Sequence, residues 1–330
     1  MAYRVNIYSF TDAGHTLSDR ILKINEKVFR GEKLILEKEE NNTINEEIFK
    51  YYSAHVFIGA VGIAVRKIAP YISDKKTDSA VIVIDEKGQF VIPVLSGHMG
   101  GANDLACLIA KELNAAAVLT TATDVNGYNA IDTIASRHRL TMEPEDAAKT
   151  VNSMLLKGEK IKVKIGEDID TTEDTTGIYE ITDCENCDVV ISNKSKYIIG
   201  IGCRKNTDCD VFEKTLDEVL NENNIAHSNV DRIVSIDLKE NEEAIVEYVS
   251  KNKIMFETYT ADELNSVTGD FDESEFVKEI TGVSNVSERA CVYAGNMLGR
   301  GKFILKRKAV NGITVSIYKV VKRINLNGKA

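Results

Sequence analysis

Short runs of β-branched and aliphatic residues recur through the first part of the chain, at 4–8, 33–36, 55–58, 81–84, 90–94 and 116–120, and stretches with helical spacing of apolar positions separate several of them. That alternation predicts a mainly parallel sheet covered by helices. The clearest helix lies over 103–113, where Leu105, Leu108, Ile109 and Leu113 share a face, and it stands between the runs 91–95 and 116–119. This is the pattern of a strand–turn–helix–strand unit. A further helix is expected over 129–139, closing the first unit at 139.

From about 140 the pattern changes. Glu143-Pro144-Glu145 predicts a helix start, because proline suits the first turn and carboxylates there favour the helix dipole, and the helix is expected to reach Leu156. Strand-like runs follow at 161–165, 177–181 and 189–191, with the polar stretch 167–176 expected as a solvated connection. At Tyr197-Ile198-Ile199-Gly200-Ile201-Gly202 the β-then-helix pattern restarts, followed by an amphipathic helix carrying Val211, Phe212, Thr215, Leu216, Val219 and Leu220. Strands at 233–236, 254–256, 302–308 and 313–319 and helices at 242–252, 261–267 and 273–281 complete the chain. The expected fold class is α/β: two α/β domains with mainly parallel sheets, 1–139 and 196–330, joined by a small α+β middle region, 140–195.

Length and charge narrow the functional classes. At 330 residues the chain suits two or three compact units. A formal charge of -10 opposes broad contact with nucleic acid or an anionic membrane, so an anionic ligand has to be held by local features. No apolar run approaches the roughly 18 residues that span a bilayer, and Met1–Phe10 lacks the long apolar core of a signal peptide, so a cytoplasmic protein is expected. The six cysteines (107, 184, 187, 203, 209 and 291) are dispersed, which favours reduced thiols. Cys184 and Cys187 form a CxxC, but no second pair stands at zinc-site spacing; a structural role is expected and no protein-held metal.

Candidate chemistry sits in Gly-rich turns between strand and helix, where helix N-termini offer free N–H groups to ligands. Gly59-Ala60-Val61-Gly62, followed by Arg66 and Lys67, reads equally as tight packing or ligand contact. In Ser96-Gly97-His98-Met99-Gly100-Gly101-Ala102-Asn103-Asp104, the glycines admit close approach of a ligand, His98 is a candidate general base, and Asn103 or Asp104 is a candidate helix cap. Thr120-Thr121-Ala122-Thr123-Asp124 offers hydroxyls and a carboxylate, or else forms a turn with Asn126-Gly127. Gly200-Ile201-Gly202-Cys203-Arg204-Lys205 places two cations beside a helix start; the full GxGxxG spacing is missing, which disfavours a dinucleotide. Cys203 is a small turn residue or a thiol of lowered pKa. Ser287 is expected to cap a helix through Leu298, with Glu288 and Arg289 in its first turn.

Taken together, Phe57-Ile58-Gly59-Ala60-Val61-Gly62-Ile63-Ala64-Val65-Arg66, the Leu95–Asn103 run, Thr120–Asp124, Gly200–Arg204 and Val286-Ser287-Glu288-Arg289-Ala290 resemble the cobalt-precorrin-5A hydrolase family of anaerobic cobalamin biosynthesis. The likeness is ordered and nearly chain-long; region 140–195 supplies little of it. It implies a hydrolase that opens the δ-lactone of a cobalt-containing tetrapyrrole, releases acetaldehyde and yields cobalt-precorrin-5B, a reaction classed with hydrolysis of carbon–carbon bonds. The C-terminal region is similar to a smaller stand-alone protein of the aerobic pathway, which implies corrinoid binding. One departure is Asn206, where the pattern has glycine. Cobalt is expected inside the substrate, with neighbouring pathway enzymes as possible partners.

On that chemistry the candidate catalytic residues are His98, Asp124 and Glu288, with His98 as base, Thr121 or Asp124 positioning and backbone N–H groups of Gly100 and Gly101 as oxyanion donors. Substrate binding is expected at Gly59, Gly62, Arg66, Gly97, Gly100, Gly101, Asn103, Thr121, Gly200, Gly202, Arg204, Lys205, Ser287 and Arg289. A non-catalytic corrinoid carrier is the competing reading, and a nucleotide-binding dehydrogenase or transferase a third.

Overall fold

The computed structural model describes residues 3–25, 27–30, 32–38, 42–74, 77–171 and 177–326. The first sheet contains β1 (Tyr3–Ser9), β2 (Val28–Phe29), β3 (Glu32–Lys38), β4 (Ala54–Ile58), β5 (Ala80–Ile84), β6 (Phe90–Leu95) and β7 (Ala116–Ala117), in the order β2-β3-β1-β4-β5-β6-β7. Strands β3, β1, β4 and β5 are mutually parallel. Every residue of β4 and β5 is buried, as in a parallel sheet covered on both faces; β5 is apolar throughout, and β4 is interrupted only by His55, whose ring nitrogens meet Tyr8 Oη and the Phe49 carbonyl.

β6 departs from this direction. Only residues 85–89 separate it from β5, far fewer than the dozen or so a parallel crossover needs. The Asp85 carboxylate accepts the backbone N–H groups of Lys87, Gln89 and Phe90, closing a hairpin. β6 is therefore antiparallel to β5, with Leu95 opposite Val81 and Val91 opposite Ile84, and its carboxyl end lies beside the amino end of β5. The helix Ala102–Leu113 then crosses to β7, parallel to β6. It buries Leu105, Ile109 and Leu113 in the sheet's core, side chains that each contribute about 1.5–3 kcal/mol on full burial.

A second, four-stranded sheet is built from β8 (Thr141–Glu143), β9 (Ile161–Ile165), β11 (Tyr179–Ile181) and β12 (Val189–Ser192) in the order β11-β9-β12-β8, while β10 (Ile169–Thr171) pairs with the third sheet instead. Glu143 ends β8 rather than opening a helix, because the residue before proline is driven to extended backbone; the helix runs over Ala147–Leu156. Of the expected connection 167–176, β10 takes 169–171, and 172–176 lie outside the described residues. The core of this sheet includes Val151, Leu155, Ile161, Val163 and Ile191, and it also draws in Ile131 and Ile134 from the helix Ile131–Arg137.

The third sheet contains β13 (Tyr197–Cys203), β14 (Val230–Ile236), β15 (Met255–Tyr259), β16 (Gly299–Val310) and β17 (Ile313–Ile324), ordered β10-β17-β13-β14-β15 with β16 on β17. β13, β14 and β15 are parallel; β17 runs against β13. The helices Cys209–Glu222 and Glu243–Asn252 pack into one core cluster of this sheet, and the helix Ser287–Leu298 into another. The architecture is α/β, with mixed, largely parallel sheets.

Candidate active site

The turn at 96–101 is held from several sides. Ser96, at φ 55°, donates its hydroxyl to the Asp78 carbonyl (2.8 Å), and Tyr3 Oη donates to the Gly100 carbonyl (2.6 Å). Gly101 stands at φ 89°, left-handed backbone that glycine adopts without a Cβ penalty, and opens the helix Ala102–Leu113. The N–H groups of Ala102 and Asn103 go to the carbonyls of Ser96 and Gly97, so the turn itself closes the helix start. Neither Asn103 nor Asp104 caps it, contrary to the sequence-based expectation. Asp104 instead receives Arg30 (2.8 Å) and Arg137 (2.7 Å). Burial works against its charge, yet the two guanidiniums hold its carboxyl below the usual range. Arg30 also donates to the carbonyls of His98 (2.7 Å) and Met99 (3.1 Å) and covers the buried Gly101.

With its backbone so held, His98 lies between two carboxylates. Nε2 is 3.1 Å from Asp124 Oδ2, and Nδ1 is 3.3 Å from Asp132 Oδ2. Asp124 Oδ2 also accepts from Asn103 Nδ2 (2.8 Å), which lies 3.3 Å from Thr121 Oγ1; Asp132 Oδ1 accepts from Asn152 Nδ2 (3.0 Å). The side chains of His98, Asp124 and Asp132 are only 13%, 9% and 19% exposed. Burial on its own disfavours an imidazolium, but the two carboxylates outweigh it and raise the His98 pKa to about 9. Geometry leads to the same state: neutral imidazole has one N–H and can satisfy one of the two acceptors, whereas the cation satisfies both. The imidazolium is thus the favoured form of His98 at neutral pH, and acting as a base would require it to give up that proton first. Asp132 keeps a lowered pKa because, although burial opposes its charge, His98 and Asn152 hold the ionised form.

Of the expected catalytic residues His98, Asp124 and Glu288, the first two meet here, joined by Asn103 and Thr121 from the expected binding set; Glu288 does not. The sequence reading missed Asp132, Arg30, Arg137 and Asn152. Asp132 occupies a helix whose apolar spacing is its evident feature, and Arg30 is 68 residues from His98, so neither carried a local signal.

Comparison with known proteins places this turn in a family. Residues 43–124 match the model of the cobalamin synthesis G N-terminal family and residues 197–318 that of the cobalamin synthesis G C-terminus. The chain is 33% identical over 297 residues to the cobalt-precorrin-5A hydrolase of Salmonella typhimurium, covering 82% of this chain and 83% of the relative. It is 31% identical to the cobalt-precorrin-5A hydrolase of Priestia megaterium (82% of this chain, 79% of the relative), and 30% identical to a probable cobalt-precorrin-5A hydrolase of Methanocaldococcus jannaschii (79% and 84%). The chain belongs to the cobalt-precorrin-5A hydrolase family.

The other residues predicted from the family resemblance lie elsewhere. Because β6 is reversed, Gly59, Gly62 and Arg66 lie at the opposite end of the first sheet from His98: the Gly59 N–H binds the carbonyl of Ile84, at the far end of β5 from Ala80. Five strand residues put the two turns roughly 15 Å apart. Arg66 and Gly62 are exposed, with the Arg66 guanidinium turned back on the Gly62 carbonyl (3.3 Å).

A third group gathers at the carboxyl edge of β13. A Cβ on Gly200 would stand 1.9 Å from the Ser287 carbonyl oxygen, so this glycine seats the helix Ser287–Leu298 on the strand and leaves no space for a ligand; Gly202 faces Thr314 at van der Waals distance. Ser287 is not the cap, since its hydroxyl accepts from Ser316. Asn285 receives the Glu288 N–H (2.9 Å) and donates to the Glu288 carboxylate (2.6 Å). Glu288 is fully buried, and burial raises its pKa. Arg289 stacks over Phe271 (4.5 Å) and donates to the carbonyls of Val267 and Leu264, which makes it a loop clamp rather than an open anion site. Arg204 and Lys205 are exposed, but the next helix start is occupied by the Asp208 side chain. Burial pushes the Cys203 thiol up, not down. Glu288 is separated from the seam near Arg30 by nearly the full length of its helix, about 16 Å.

Asn206, the departure from the family pattern, has φ 57°, the left-handed conformation that glycine favours and asparagine tolerates. Asn206→Gly should leave the urea midpoint nearly unchanged, whereas Asn206→Ala should cost about 1 kcal/mol. Equal midpoints for all three would show that this backbone carries no strain. Among the described residues no three His, Cys, Asp or Glu side chains converge as a metal site, and no helix is long and apolar enough to cross a membrane.

Proposed function

We propose that this chain hydrolyses the δ-lactone of cobalt-precorrin-5A in the cytoplasm, releasing acetaldehyde and giving cobalt-precorrin-5B. The observation that carries the reading is the His98 imidazolium held between Asp124 and Asp132 on a Gly-rich turn, in a chain of the cobalt-precorrin-5A hydrolase family. Cobalt enters as part of the substrate. Water adds to the lactone carbonyl and releases its two protons to solvent, the ring C–O bond breaks, and the departing oxygen takes a proton from His98, leaving a carboxylate and an alcohol. Neutral after this step, His98 removes the hydroxyl proton of that alcohol; the adjacent carbon–carbon bond breaks, acetaldehyde departs, and the macrocycle carbon that keeps the electron pair takes a proton from solvent, leaving His98 cationic again. Asp124, fixed by Asn103, and Asp132, fixed by Asn152, hold the ring through both proton transfers.

The test is incubation with cobalt-precorrin-5A, with acetaldehyde followed through NADH oxidation by alcohol dehydrogenase. The expected result is stoichiometric aldehyde, with a rate that falls as pH rises through about 9, where His98 loses its proton. Tight binding with no aldehyde would overturn the hydrolase reading in favour of a carrier.

A further inference from the structure

The seam between the first and third sheets encloses a cavity of about 140 Å³, lined by Arg30, Arg137, His138, Arg139, Lys322 and Arg323 together with the end of the helix Ser287–Leu298. No carboxylate lines it. Asp104 partly neutralises Arg30 and Arg137, and Asp231 partly neutralises Lys322, while Glu257 balances Arg232 behind them. Five cationic side chains thus line one place, with no carboxylate among the lining residues, on a chain whose formal charge is -10. Such a concentration inside an acidic protein attracts and orients an anion. Arg323 is exposed and makes no hydrogen bond among the described residues; Asp170, opposite it on β10, feels its charge but is hydrogen-bonded by Arg300, so the Arg323 donors stay available to a ligand.

The volume decides what fits. It is below the roughly 300–1,000 Å³ that encloses a drug-sized ligand, so the cavity admits a side chain of a larger molecule and not the whole. Its position decides the purpose. The Arg30 guanidinium lines the cavity and also donates to the His98 carbonyl (2.7 Å), so a group seated there lies next to the turn that carries the imidazolium. We propose that this seam cavity is a carboxylate subsite, taking an acetate or propionate side chain from the rim of the tetrapyrrole and so setting the macrocycle over the His98 turn. The proposal rests on the hydrolase reading for the identity of its ligand, and it relocates substrate recognition from Arg66, Arg204, Lys205 and Arg289 to Arg323 and its neighbours. Guanidinium–carboxylate pairing supplies both charge and a two-point fit.

Binding of dicyanocobyrinic acid, whose side chains are free carboxylates, to the full chain tests it by equilibrium dialysis with absorbance detection. The acid should bind, its methyl ester about tenfold or more weakly, and added salt should weaken the acid. Arg323→Glu should lower affinity for the acid by at least about tenfold, and Arg323→Lys should keep most of it. In turnover, Arg323→Glu should raise KM and leave kcat alone. Wild-type affinity in a folded Arg323→Glu variant, equal binding of acid and ester, or no binding of the acid would each overturn the subsite. The hydrolase reading fails separately, if cobalt-precorrin-5A yields no acetaldehyde while the Arg323-dependent binding persists.

Discussion

His98→Ala should lower the rate of acetaldehyde release by about 10²–10⁴-fold, the range attributed to one positioned acid–base group, with little change in KM. The substitution removes the group that bridges Asp124 and Asp132, and it leaves the backbone clamp by Arg30, Tyr3 and Ser96 in place. A wild-type rate in the variant would remove His98 from the chemistry. Asp132→Asn provides a finer readout: with one carboxylate gone, the proton on His98 is held less tightly, so the alkaline fall in rate should move to lower pH, and a change in kcat without such a move would point to a merely structural role. The same pair predicts a stability profile. Because the folded pKa of His98 is raised to about 9 from an ordinary 6.5, its contribution is fully present below pH 6.5 and is lost as pH rises through about 9. The stability gap between wild type and His98→Ala, on the order of 3 kcal/mol at most, should therefore close between pH 6.5 and pH 9.5, as read from urea midpoints.

Arg232→Leu should destabilise the third sheet by about 3–5 kcal/mol, the usual consequence of removing one partner from a buried ion network. Arg232 has no exposed surface and bonds Asp231 (2.8 Å) and Glu257 (2.6 Å), while Lys322 reaches Asp231 (2.9 Å) from β17. Arg232 and Lys322 hold the Asp231 carboxyl well below its ordinary pKa although burial opposes its charge. Leucine fills much of the volume but leaves Glu257 inside the protein without its cation. Combining Arg232→Leu with Glu257→Gln should recover a large share of the loss, since the stranded charge is the main cost. If the double variant is no more stable than Arg232→Leu alone, lost packing rather than the unpaired carboxylate explains the effect.

Much of the fold was legible because the features that encode it are local. The runs 55–58 and 81–84 are apolar but for His55, as strands covered on both faces tend to be, and the structure extends each by a single residue, to Ala54–Ile58 and Ala80–Ile84. The helix predicted over 103–113 begins one residue earlier, and its apolar face is the buried one. The Glu143-Pro144-Glu145 signal misled, because a proline suited to a helix start also fits the end of a strand, and only pairing of Glu143 with Val190 decides between them. The turn residues of the candidate site were likewise visible, since dense glycine between a strand and a helix is a local signature.

Composition and spacing by themselves determined that this chain builds α/β units with Gly-rich turns, two of which, at 96–104 and 120–124, follow successive strand-like runs. Only the tertiary structure decided which turns share a place. The short 85–89 connection reverses β6, and that single reversal sends Gly59, Gly62 and Arg66 to the far end of the sheet. The residues that give His98 its charge and its backbone position, Asp132 and Arg30, stand 34 and 68 positions away in the chain. The physical reason is range: periodicity and turn chemistry act over a few residues, whereas an ion pair forms wherever folding brings two charges within about 4 Å, and no local pattern records that distance.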